Sequence, residues 1–173
     1  MRKFIDIIRE TYDDDEDDAP EEVVDPFVAE VQSTLRHHGS DGEADEIEYT
    51  RRLLAKRTAA SPLLVYRFMR LDPDRVAALQ GGEGLGQHWT TDRKMPTDNL
   101  YDEGDGTMFM FAAHANAADI AEAYTVAFNI LFPDEDEVFL LPRARVTLQG
   151  IFAEGSQENV RPDLSGAVFG VRR

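Results

Sequence analysis

The chain has 173 residues, of which 42% are hydrophobic and 9% aromatic, enough for one domain with a core and too few for two comfortable ones. It contains no cysteine, which excludes disulfides, thiolate nucleophiles and cysteine-based zinc sites. A formal net charge of −16 argues against nucleic-acid backbones and anionic lipid as partners, and no run of about 18 apolar residues offers a membrane span.

The amino terminus starts like an export signal but meets Asp6, Arg9 and Glu10, so it reads as a cytosolic start. Phe4, Ile5 and Ile8 lie at helical spacing and predict a short amphipathic helix over 1–11. The run Asp13-Asp14-Asp15-Glu16-Asp17-Asp18 repels itself and lacks the glycine and spacing of a calcium loop, so it reads as a solvated linker. The chain therefore divides into an N-terminal helix and acidic linker over 1–25 and a folded domain over 26–173. Lys3, Lys56 and Lys94 are the only lysines, the other cations being arginine. Excess acid with scarce lysine suits a salt-rich cytoplasm, as in a halophile or its virus, while a GC-rich genome would favour arginine without halophily.

Asp25-Pro26 has the form of an N-cap and first helical residue, and Phe27, Val31 and Leu35 continue the helix to about residue 38. Adjacent His37 and His38 point about 100° apart on a helix, which disfavours a shared metal ion. A second helix follows over 44–58, with Ile47, Leu53 and Leu54 facing inwards. From residue 62 strands prevail. They are expected at 63–69, 87–92, 107–113, 137–141, 145–152 and 167–171, with a short helix from Pro73 through Leu79 and a longer one over 117–131. Helices early and strands late predict an α+β fold.

Three features carry chemistry: Arg67 within an apolar strand, then Trp89-Thr90-Thr91, then Glu135-Asp136-Glu137 ahead of an apolar run. In an extended segment residues 135 and 137 project to the same side, so two carboxylates would share one face. Each feature also has a plain reading. Arg67 fits an ion-paired arginine with a buried stem, the two glutamates a solvated turn, and Trp89 a core residue. His88 and His114 lack a carboxylate or serine at a recognisable offset, which argues against a Ser/His/Asp hydrolase. The glycines of 81–86 lack a dinucleotide fingerprint.

Taken together, the order of these segments resembles the Arg–Ser/Thr–Glu class of NAD-dependent ADP-ribosyltransferases, which includes bacterial toxins and phage-encoded enzymes. The resemblance covers about residues 60–173. Val65-Tyr66-Arg67 is similar to the family's first core strand with its NAD-binding arginine, and Gly84 to Asp92 looks like its second, polar strand. Glu135-Asp136-Glu137-Val138 resembles the catalytic Glu/Gln-x-Glu turn, and Arg145 to Ile151 the partner strand. Trp89-Thr90-Thr91 stands where the family often has Ser-Thr-Ser, so the hydroxyl role falls to either threonine.

The resemblance implies an ADP-ribosyltransferase-like mixed β-sheet core with N-terminal helices, and NAD as substrate. It implies that Glu137 stabilises positive charge on the ribose, Glu135 orients or deprotonates the acceptor, and Arg67 pairs with phosphate. Thr90 or Thr91 would support the glutamate or ribose, and Trp89 or Tyr66 would stack on nicotinamide. A glutamate at the earlier position implies a protein acceptor modified at arginine. The alternative expectation is a non-catalytic component of a virion head or other assembly on the same fold, tethered through Phe4, Ile5 and Ile8.

Overall fold

The computed structural model describes residues 25–80, 84–94 and 106–153. In chain order these form α1 (Pro26–His37), α2 (Ala44–Thr58), β1 (Leu63–Leu71), α3 (Pro73–Gln80) and β2 (His88–Thr90). There follow β3 (Thr107–Ala115), a single 3-10 turn (Ala117–Asp119), α4 (Glu122–Leu131), β4 (Glu137–Phe139) and β5 (Thr147–Ala153). The expected helix over 1–11, the acidic linker and the strand over 167–171 lie outside the described residues.

Local chemistry sets the helix ends. The Asp25 carboxylate accepts the Phe27 N–H at 2.9 Å, Pro26 fills the first turn, and Arg36 and His37 occupy the last turn, where carbonyls favour positive charge. Val28, Val31 and Leu35 of α1 meet Ile47 and Leu54 of α2 and Ala123, Val126 and Ala127 of α4 in one buried cluster. Leu53, expected to face inwards, is half-buried. Arg51 closes the edge of this bundle. Its guanidinium lies 3.0 Å from Glu122, 3.5 Å from Glu48 and 3.9 Å from Asp25, and 3.9 Å over the Phe27 ring. The hydrogen bond with Glu122 raises the Arg51 pKa above its ordinary value, so the cation persists at the start of α4.

The five strands form one sheet in the order β4-β2-β1-β3-β5. Among the described residues all neighbouring pairs run antiparallel, so these form an α+β fold with an antiparallel sheet where a mixed one is expected. No neighbouring pair is joined by a crossover that would return the chain in the same direction. β1 and β3 pair along their whole length, from Leu63↔Ala115 to Leu71↔Thr107. One sheet face buries Val65, Met69, Trp89, Phe111, Ala113, Val138 and Ile151 against Leu79 of α3 and the loop residues Leu85, Leu140 and Val146. On the far side of β4, Phe139 packs against Tyr124 and Phe128 of α4.

The expected helix over 117–131 is interrupted. Ile120 has extended backbone and bridges Leu140, the Ala121 N–H donates to the Phe139 carbonyl at 2.8 Å, and the Leu141 N–H donates to the Asp119 carbonyl at 2.8 Å. Sheet hydrogen bonds thus capture a segment whose apolar spacing alone suits a helix, and Ile120 joins the sheet core instead. The same bridge ends β4 at Phe139 rather than at residue 141, and β5 begins at Thr147 rather than at 145.

Thr125 is fully buried, and its hydroxyl accepts the Phe139 N–H at 3.0 Å, tying α4 to β4. Thr125→Val keeps the shape but leaves that N–H without its acceptor, and is expected to lower stability by about 1–3 kcal/mol, whereas Thr125→Ser should retain the bond. Urea unfolding of the three proteins checks this; equal midpoints for Thr125→Val and wild type would refute the role.

Candidate functional site

The register of β1, β2 and β4 builds the site. Tyr66 pairs with Thr90 and Thr90 with Glu137, so three residues from three distant segments form one row across the sheet. His88 pairs with Phe139 in the next row of the same face, while Trp89 pairs with Val138 on the opposite one. Arg67 alternates with Tyr66 and so lies on the face of Val65, Met69 and Trp89. The strands expected to carry the chemistry are therefore neighbours, but Arg67 and Glu137 belong to opposite faces of them.

Arg67 works between the strands. β1 and β2 share the single registered pair Tyr66↔Thr90, and beyond it the Arg67 guanidinium donates through Nη1 to the carbonyl of His88. Gly86 makes room for this contact. Its φ is +86°, and a Cβ there would stand 3.2 Å from Nη2 of Arg67. The phosphate-pairing role expected of Arg67 beside Glu137 does not fit this placement, since the two belong to opposite faces of the sheet. Trp89 is also corrected as a stacking platform, because it is 2% exposed and its Nε1–H donates to the Gly86 carbonyl at 3.1 Å. It packs in the core and pins the loop over which Arg67 passes.

Thr90 spends its hydroxyl on backbone. Oγ1 donates to the Glu135 carbonyl at 2.6 Å and accepts the Asp92 N–H at 2.9 Å, and the Thr91 N–H donates to the Asp136 carbonyl at 3.0 Å. The two threonines thus hold the turn that leads into β4. That turn is not extended. Asp136 has φ +47°, in the left-handed region, which cancels the alternation that would place Glu135 and Glu137 on one side. The Glu135 N–H donates to the Phe132 carbonyl at 3.1 Å, and the Asp136 carboxylate pairs with Arg57 of α2. Glu135 is a turn residue here rather than a second member of a carboxylate pair.

Glu137 is the carboxylate best placed for chemistry. Its side chain is 16% exposed, and Oε2 lies 3.3 Å from Nδ1 of His88, whose own side chain is 49% exposed. The His88 ring stands edge-on to Phe139 at 4.1 Å and to Phe128 at 5.8 Å. Tyr124 lies against Phe139 at 5.6 Å, and His38 meets the Phe128 ring at 5.2 Å. Behind the carboxylate, the Asn129 amide donates 2.7 Å hydrogen bonds to the carbonyls of both Glu137 and Thr125. A shielded carboxylate among aromatic rings can hold a hydroxyl group and offset nearby positive charge more strongly than one in water.

Sequence reasoning missed His88 and Asn129. His88 lies 49 residues from its carboxylate. The one available signal was its place beside Trp89 in a short strand, which sends the two side chains to opposite faces.

The left-handed backbone at Asp136 yields a direct test. Asp136→Ala and Asp136→Gly both lose the contact with Arg57, so their difference isolates the backbone. The glycine variant is expected to be more stable by about 1 kcal/mol in thermal or denaturant unfolding; equal stabilities would contradict the turn geometry. Comparison of the chain with family models, with curated protein sequences and with solved structures finds no match.

Proposed function

We propose that this chain is an NAD-dependent mono-ADP-ribosyltransferase that modifies a protein acceptor at arginine. The observation that carries the reading is the row Tyr66–Thr90–Glu137 across adjacent strands, with a carboxylate 16% exposed at its end. In this reaction NAD supplies an anomeric carbon bearing nicotinamide as leaving group, and positive charge develops on the ribose as that bond breaks. Glu137 accepts a hydrogen bond from a ribose hydroxyl and offsets the charge. Tyr66 and the ring surface around Phe139 offer flat apolar area for the nicotinamide end.

The residues present fit that end of the dinucleotide. They fit the phosphate end less directly, since the Arg67 guanidinium is directed to the His88 carbonyl on the other face. The proposal therefore gives Arg67 a part in shaping the β1–β2 gap and assigns no phosphate contact to it. Glu135 acts through the turn it helps to form, so the arginine acceptor rests on the net charge of −16, which favours a cationic group.

The ring series Tyr124–Phe139–Phe128–Phe132 favours the second reading, a non-catalytic assembly component on this fold, because Tyr124 is 47% and Phe132 40% exposed. Such a surface suits protein contact as well as a substrate wall.

The deciding measurement is nicotinamide release from NAD by the full chain, in low and high salt, beside Glu137→Gln. The amide keeps the shape of a largely buried side chain while removing its charge. Release by wild type is expected to fall by about 100-fold or more in the variant. Equal release would remove Glu137 from the mechanism, and no release by a folded wild type would favour the assembly reading.

A further inference from the structure

We propose that His88 is the positioning residue for the Glu137 carboxylate, and that Arg67 acts on Glu137 through it. As a statement about catalysis this rests on the transferase reading; as a statement about the His88–Glu137 pair it stands on geometry alone. His88 is held from both ends. Its carbonyl takes the Arg67 guanidinium on one side of the strand, and its ring is fixed by Phe139 at 4.1 Å and Phe128 at 5.8 Å on the other. Among the described residues the polar contact of Nδ1 is Oε2 of Glu137 at 3.3 Å. A carboxylate oxygen accepts, so the pairing calls for a proton on Nδ1.

The connection explains how a residue on one sheet face bears on a carboxylate on the other. Arg67 replaces a ladder partner for β2 at His88, two residues from the single registered pair with β1. Without that donor the His88 backbone loses its tie to β1, and the ring with it. A carboxylate left to rotate would spend less time in the productive orientation, and misplacement of about 1 Å costs about 100-fold in rate.

Two kinds of measurement test this. The first needs no activity: nitrogen NMR of the neutral His88 ring reports which nitrogen bears the proton. The Nδ1–H form is expected in wild type, giving way to Nε2–H in Glu137→Ala; Nε2–H in wild type would overturn the pairing. The second is kinetic. His88→Phe keeps the ring packing and loses the donor, so kcat is expected to fall about 100-fold with little change in KM. His88→Asn, which places an amide N–H near the position of Nδ1, should restore most of that loss. Arg67→Met should also lower kcat, and combining it with His88→Phe should cost little beyond the larger single effect. Wild-type turnover in His88→Phe, or a rise in KM alone for Arg67→Met, would refute the positioning role. If folded wild type releases no nicotinamide, the transferase reading falls, and the NMR result still decides the pair.

Discussion

The architecture of this protein turns on how a three-residue strand is held at the edge of a sheet. β4 forms three registered pairs with β2, which is little for a strand that carries the main candidate residue. Side chains supply what length does not. Thr125 accepts the Phe139 N–H, Asn129 donates to the Glu137 carbonyl, and Thr90 takes the Glu135 carbonyl just before the strand begins. Val138 meanwhile is fully buried against Trp89 and its neighbours. Glu137 is thus fixed from α4 on one side and β2 on the other, and the helical layer beneath becomes part of the site's support.

This support explains why the polar residues of α4 lie where they do. In a helix otherwise rich in apolar side chains, Thr125 and Asn129 are one turn apart and both turn toward β4. Each would be a poor choice for a simple packed helix, since a buried hydroxyl or amide costs free energy without a partner. Their partners are backbone groups of the strand. In turn α4 is anchored by α1 and α2 and by Arg51 at its first residue, so contacts distant in sequence from Glu137 bear on its position.

Most of the elements were legible in the sequence because their signals are local. Asp25-Pro26 marks a helix start by its own chemistry, and the spacing of Val31 and Leu35 marks the buried side. Where tertiary contacts compete with periodicity, the local signal misleads. Ile120 fits the apolar stripe of a helix, yet its bridge to Leu140 draws it into the sheet. Asp136 sits among acids that say nothing of a positive φ, and that single residue undoes the expected pairing of Glu135 with Glu137. The site was legible as a set of strands but not as a set of faces. Whether Arg67 and Glu137 share a face depends on register across three strands, which alternation within any one of them does not define.

The charge of the chain bears on the same site in a way that separates long-range from short-range effects. On the proposed reading, a net charge of −16 would oppose the approach of an anionic dinucleotide and favour that of a guanidinium-bearing acceptor. The range of that field is set by salt, with a Debye length of about 8 Å at physiological ionic strength and about 3 Å at 1 M. The contact between His88 and Glu137, at 3.3 Å and partly shielded by rings, lies well inside the first distance and close to the second. On the proposed reading, high salt therefore relaxes the long-range repulsion that a dinucleotide would meet more than it weakens the short, partly shielded contact. On the proposed chemistry an acidic surface and an NAD-binding site are compatible, with ionic strength governing access more than it governs the local geometry of the carboxylate.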